Sequence, residues 1–257
     1  MKVGQRSLSG WQRVLRMRFL LLVALILVLA GSLGLQSTAH AQSERGSTGT
    51  IAGTAELTYG EWNARWWQWF FSVPASKNPG LLTTEAVDCS VGQSGNDWFL
   101  AGRFNGLGRS THSCTVPVGK ALVIPLINSW QDNVCVKPPL SVDQLRANAA
   151  NAVTPTKDLH ASIDGQPLTN LESHRAVSPV FSYTLPPPPD NVIFKVFGVR
   201  IPGDCGTTNS TVTPAVADGF YIIVPPLSAG SHRINFGGSA GSPLTTLDMT
   251  YHLTVGS

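Results

Sequence analysis

Fifteen consecutive residues, Thr58 to Ser72, read T-Y-G-E-W-N-A-R-W-W-Q-W-F-F-S and carry four of the chain's seven tryptophans. Each large ring removes roughly 150–250 Å² from water when buried. The fold must therefore supply a core to receive Trp62, Trp66, Trp67, Trp69, Phe70 and Phe71. Thr58 and Glu61 have the spacing of a capping box, in which the hydroxyl takes a free first-turn amide and the carboxylate reaches back. Pro74 cannot continue a helix and pushes Val73 toward extended geometry. The spacing predicts a helix over Tyr59–Ser72. Its apolar arc is wider than an ordinary surface helix needs, and Asn63, Arg65, Gln68 and Ser72 are left for the polar side. Glu61 and Arg65 stand four apart in the favourable order. Large apolar side chains belong mostly inside, so the helix reads as a cover over a β core. The competing reading leaves Trp67 or Trp69, at the margin of the arc, as a platform for a sugar ring or an apolar partner.

Residues 1–41 read as a signal peptide. Lys2, Arg6, Arg13, Arg16 and Arg18 precede the apolar run Phe19–Ala30, and Ala39-His40-Ala41 is a small-x-small cleavage site. The expected cut follows Ala41, which predicts a secreted or periplasmic protein with no membrane contact after cleavage. All five charges of the segment are basic. The remaining 216 residues (257 less 41) hold 18 − 5 = 13 Lys+Arg against 15 Asp+Glu, a net charge of −2. No basic patch remains, and nucleic acid is not an expected partner. Residues 42–56 are rich in Ser, Thr and Gly and read as a flexible lead-in.

Cys89, Cys114, Cys135 and Cys205 all follow the signal, and an even count in an exported chain predicts two disulfides. Of three pairings, Cys89–Cys114 and Cys135–Cys205 suit the loops best: the first brackets an expected hairpin, and the second ties a mid-chain loop to a late one. No C-x-x-C occurs and no metal-spaced His/Cys set is present, so neither a metal nor a cofactor is expected.

Short strands are predicted at Trp98–Phe104, Ser113–Val118 and Ala121–Asn128, where Pro125 argues for an edge or a bulge. Ser141 and Gln144 form a second capping box before a helix at Val142–Ala152. Leu159, Ala161 and Ile163 alternate with polar residues up to the turn signal Asp164-Gly165, and Gln166–Leu171 returns. Further strands are predicted at Val180–Leu185, Val192–Val199, Gly219–Val224, Ser231–Phe236 and Thr246–Val255, with Gly203–Ala217 as a loop. This spacing predicts a mainly-β single domain over residues 57–257: a two-sheet β-sandwich, jelly-roll or Ig-like, with a Trp-rich N-terminal helix and a second short helix.

Four stretches carry a resemblance: G-E-W-N-A-R-W-W-Q-W at Gly60–Trp69, C-S-V-G-Q-S-G-N-D-W-F-L-A-G at Cys89–Gly102, C-T-V-P-V-G-K-A at Cys114–Ala121, and A-D-G-F-Y-I-I-V-P-P-L-S-A-G-S-H at Ala217–His232. Together they resemble a group of secreted, mostly bacterial proteins to which no activity is attached. The resemblance implies an exported single domain and transfers no catalytic residue.

Gly237-Gly238-Ser239-Ala240-Gly241 matches G-x-S-x-G, but Ser242-Pro243 and a predicted strand follow where a hydrolase elbow needs a helix. The histidines after the signal, His112, His160, His174, His232 and His252, show no metal or helical pairing and read as solvated. His160 and Asp164, four apart on a strand, stand about 13 Å apart. Candidate acids are Asp88, Asp97 and Asp132, and glycoside hydrolysis would need two of them roughly 5–9.5 Å apart. Arg65, which could stack on a tryptophan, and Arg109 join Trp67 and Trp69 as binding candidates. The leading expectation is a non-catalytic exported module binding envelope polysaccharide or protein. The alternatives are an extracellular glycan-directed hydrolase and a structural or assembly subunit of the envelope. Oligomeric state is not set by these features.

Overall fold

The tryptophan-rich helix forms as α1, Tyr59–Ser72, in a computed structural model that describes residues 57–104, 108–241 and 245–256. The expected signal peptide, its cut after Ala41 and the lead-in 42–56 lie outside the described residues. Both halves of the capping box close: Thr58 Oγ1 accepts the Glu61 amide at 3.3 Å, and Glu61 Oε2 accepts the Thr58 amide at 2.8 Å. Val73 is extended, as a residue before proline should be. All four tryptophans of α1 and both phenylalanines are at most 5% exposed.

Among the described residues ten strands follow: β1 (Asp97–Phe99), β2 (Gly108–Pro117), β3 (Ala121–Asp132), β4 (Lys157–Ile163), β5 (Gln166–Pro167), β6 (Arg175–Val177), β7 (Phe181–Thr184), β8 (Thr211–Val224), β9 (Gly230–Ala240) and β10 (Thr245–Gly256). They make two mixed sheets. One runs β1-β3-β8-β6, with β7 also on β8; the other runs β2-β10-β9-β4-β5. The β1/β3 and β2/β10 pairs are parallel and the remainder antiparallel.

The β3–β8 sheet is buried on both faces. Leu122, Ile124 and Leu126 of β3, with Phe220 and Ile222 of β8, meet Ile234, Phe236, Met249, Tyr251 and Leu253 of the other sheet. Val123, Ala217 and Tyr221 face the opposite way, into the rings of α1. This two-sided burial explains why A-L-V-I-P-L-I is a continuous apolar run with no polar alternation. Pro125 lies in an inner strand, and the predicted bulge is there as a register shift between Pro125 and Ile127. The second helix, α2 (Val142–Val153), has its Ser141/Gln144 capping box and buries Leu145, Ala149 and Val153. Gly60 seats α1 against β6: a Cβ there would meet the Val177 carbonyl oxygen at 2.4 Å.

Several expectations are corrected. Val192–Val199 is not a strand; Val192–Phe197 is a short helix, α3. Asn191 caps it, taking the Phe194 amide at 2.8 Å, and Gly198 ends it at φ 70. Those end signals outweigh the β-prone composition V-I-F-K-V-F. Of the predicted Trp98–Phe104 strand only Trp98 and Phe99 pair with β3, joined by Asp97 before them; farther on the Phe104 amide turns to the Gly80 carbonyl. The return strand after Asp164-Gly165 is two residues long, and Leu171 opens a 3-10 turn. β8 begins at Thr211, inside the expected loop. Both disulfides pair as expected, Cys89–Cys114 and Cys135–Cys205.

Candidate functional site

The tryptophan stretch is scaffold. Trp67 is 2% exposed and Trp69 is 5% exposed, so neither offers a ring face to solvent. Trp66 donates Nε1–H to the Leu100 carbonyl at 2.9 Å, and Trp69 donates to the Val91 carbonyl at 3.0 Å. These bonds dock α1 on the segment Cys89–Gly102. Asn63, expected on the polar side, is fully buried. Its amide donates to the Ala176 carbonyl at 2.9 Å, and its Oδ1 accepts the Tyr221 hydroxyl at 3.0 Å.

Arg65 is exposed and lies over the Trp62 ring, 5.6 Å from its centroid. With Glu61, Gln68, Val180 and Ser182 it lines an open groove of about 480 Å³ between α1 and β7. Arg109 stands on the outer face of the second sheet, where its Nε pairs with Asp248 at 2.9 Å; His160 Nε2 lies 3.7 Å from the same carboxylate. Burial tends to raise the Asp248 carboxyl. Hydrogen bonds from Asn235 and Arg109 and the Arg109 charge outweigh it and hold the group below the usual aspartate value.

Among the described residues the three candidate acids share no hydrogen-bond partner. Asp88 is exposed and accepts the Ser90 amide at 2.9 Å and its hydroxyl at 2.6 Å. Asp97 is 8% exposed, and its Oδ1 has no partner among the described residues. Burial pushes its carboxyl up, against the opposing charges of Arg65 and Lys120. Asp132, at the end of β3, accepts the Tyr183 hydroxyl at 2.6 Å, Trp130 Nε1–H at 2.8 Å and the Val134 amide at 2.8 Å. Burial, then the Asp132 charge, push the Tyr183 phenol far up.

Asp132 marks an aromatic end of the molecule that the sequence did not single out. Trp130 and Phe104 are half-buried and Phe197 is 41% exposed. Trp130 lies 5.5 Å from Phe104 and 6.3 Å from Phe197, centroid to centroid, above the buried Trp67 at 5.1 Å. The segments that meet here are distant along the chain, and only α3, itself misread as a strand, places Phe197 beside Trp130.

Three histidines also depart from the solvated reading. His174 stacks on Tyr59 at 5.3 Å between ring centroids, with its Nδ1 buried and without a hydrogen-bond partner among the described residues. His112 is 2% exposed, with its two ring nitrogens each 3.0 Å from a carbonyl, of Thr84 and of Pro79; burial lowers its pKa. His232 meets Asp164 at 2.7 Å and Ser228 through its other nitrogen. Ser239, in the G-x-S-x-G match, is a β9 residue whose hydroxyl pairs with Thr246 at 3.1 Å. Among the described residues no group of three or more His, Cys, Asp or Glu side chains could hold a metal ion. Searched against known protein families and against curated proteins, the chain matches none.

Proposed function

We propose that the mature chain is an exported binding module whose ligand is an envelope polysaccharide, held at the aromatic end by Trp130, Phe104 and Phe197. One observation carries the reading: three partly exposed rings gather beside a carboxylate. Rings with an apolar face and a polar neighbour suit a sugar, which has C–H faces to stack and hydroxyls to donate. Three donors already point at Asp132. A carboxylate has about four acceptor positions, so capacity for a sugar hydroxyl remains. Among the described residues neither Asp88 nor Asp97 shares a hydrogen-bond partner with Asp132, which favours binding over a paired-carboxylate glycoside hydrolysis. The architecture in this reading is a two-sheet sandwich of the jelly-roll or Ig-like kind, with α1 as a buried brace.

The test is retention of the purified protein on insoluble envelope polysaccharide. Phe197→Ala, at the more exposed ring, and Trp130→Ala are each expected to weaken retention about five- to thirty-fold, the range of an interface anchor worth about 1–2 kcal/mol. Absence of retention by the wild type, or retention unchanged in both variants, counts against the reading.

A further inference from the structure

Ser228, His232 and Asp164 stand in the order of a nucleophile, a base and an orienting acid. His232 Nδ1 lies 2.7 Å from Asp164 Oδ2. The second Asp164 oxygen accepts the Arg233 amide at 2.7 Å, and the Asp164 amide donates to the Arg233 carbonyl at 2.8 Å. The acid is thus fixed by backbone, on the β4–β5 turn, against β9. His232 Nε2 points at Ser228, with the hydroxyl oxygen at 3.4 Å and the carbonyl oxygen at 2.9 Å. The imidazole side chain is 11% exposed, whereas Ser228 is open to solvent.

From this geometry we infer that Ser228 is an acylatable nucleophile, with His232 as its base and Asp164 as the positioning residue, acting on carboxylic esters presented from solvent. Asp164 accepts the hydrogen bond from Nδ1–H, which fixes the tautomer and leaves Nε2 for Ser228. A charged imidazole donates Nε2–H to the Ser228 carbonyl. A neutral one turns a bare lone pair toward that carbonyl, an unfavourable contact, and the Ser228 hydroxyl is the donor within reach. Oγ–Nε2 distances in unliganded sites are often loose and tighten when substrate binds. In the reaction Ser228 Oγ attacks the ester carbonyl carbon and its proton passes to Nε2. The carbon–alkoxide bond breaks, and the departing oxygen takes that proton. Water then attacks the acyl-serine by the same route, releasing the acid and restoring the hydroxyl. Ser228 is exposed on the β8–β9 loop, which suits an ester carried on a larger molecule better than one needing an enclosed acyl pocket.

The experiment treats the full-length protein with a fluorophosphonate probe, followed by intact mass and peptide mapping. The expected result is one adduct, on Ser228, absent in Ser228→Ala. Its rate should fall at least about a hundredfold in His232→Gln, the lower range for loss of a general base, and also fall in Asp164→Asn. Asn tolerates the left-handed backbone of position 164 (φ 51), so that variant keeps the turn, and a thermal melt checks each fold. No adduct, an adduct that persists in Ser228→Ala, or equal labelling rates in wild type and folded His232→Gln overturns the inference. The readout is independent of polysaccharide retention, so either can fail alone.

Discussion

The Asn63 carboxamide of α1 lies against β6 and β8 and uses both of its ends. Its N–H serves the Ala176 carbonyl of β6, a strand-edge acceptor with no strand beyond it among the described residues to donate. Its oxygen holds the Tyr221 hydroxyl, which in turn accepts Asn128 Nδ2–H at 2.7 Å. Burial drives the Tyr221 phenol well above its ordinary value, so it remains a neutral donor. Removing Asn63 strands a buried donor and a buried acceptor, which costs more than the bonds contribute net. Asn63→Ala should lower unfolding stability by about 2–3 kcal/mol in urea titration. Tyr221→Phe removes one of the two stranded groups, so the double variant should lose less than the sum. A loss below about 0.5 kcal/mol for Asn63→Ala, within the scatter of ordinary surface changes, would remove the network from the account of how α1 is held.

At the scale of elements, the β4–β5 turn is fastened to β9 by the His232–Asp164 contact, and that fastening depends on pH. The hydrogen bond that His232 donates to Asp164, then that to the Ser228 carbonyl, raise His232 above its ordinary 6.5. The Arg233 amide, then His232, lower Asp164 below its ordinary 3.8. The His232 contribution is complete below 6.5 and is lost as pH rises through the raised value. The Asp164 contribution is complete above 3.8 and is lost as pH falls through the lowered one. Stability should therefore plateau between those limits and decline on the alkaline side, and His232→Gln should flatten that decline in melts taken from pH 5 to 9. A wild-type profile as flat as the variant's would refute the clamp. Which elements the sequence announced follows from the same local chemistry. α1 and α2 carry capping boxes whose partners lie three residues apart, and both were legible to within a residue or so. α3 had its signals only at its ends, Asn191 and Gly198, while its interior spoke for a strand. The sites were less legible, because Trp130 and Phe197, or Asp164 and His232, meet only through pairings that no local pattern encodes.

Across the whole molecule, the two disulfides stabilise different things. Cys89–Cys114 closes 25 residues and Cys135–Cys205 closes 70. Loop entropy assigns them about 3.5 and about 4.4 kcal/mol. Their surroundings reverse that order in accessibility. Cys89 is 3% exposed and packs in the core between the sheets, whereas Cys135 and Cys205 are both exposed. The outer bridge also joins two non-glycine residues in left-handed backbone, each at φ 58, a conformation disfavoured for L side chains. Opening it would free both residues to relax, while the two cores stay packed without it. Mild reductant under native conditions should therefore open Cys135–Cys205 first, and alkylation with peptide mapping should find label there while Cys89 and Cys114 stay protected until global unfolding. Because Cys135 follows Asp132 and Val134, and Cys205 follows α3, this bridge also pins the two segments that bring Trp130 to Phe197. Its selective reduction should weaken polysaccharide retention without unfolding the sheets. Simultaneous opening of both bridges would show that the two cores unfold as one unit with the loops, and that the aromatic end has no stability of its own to lose.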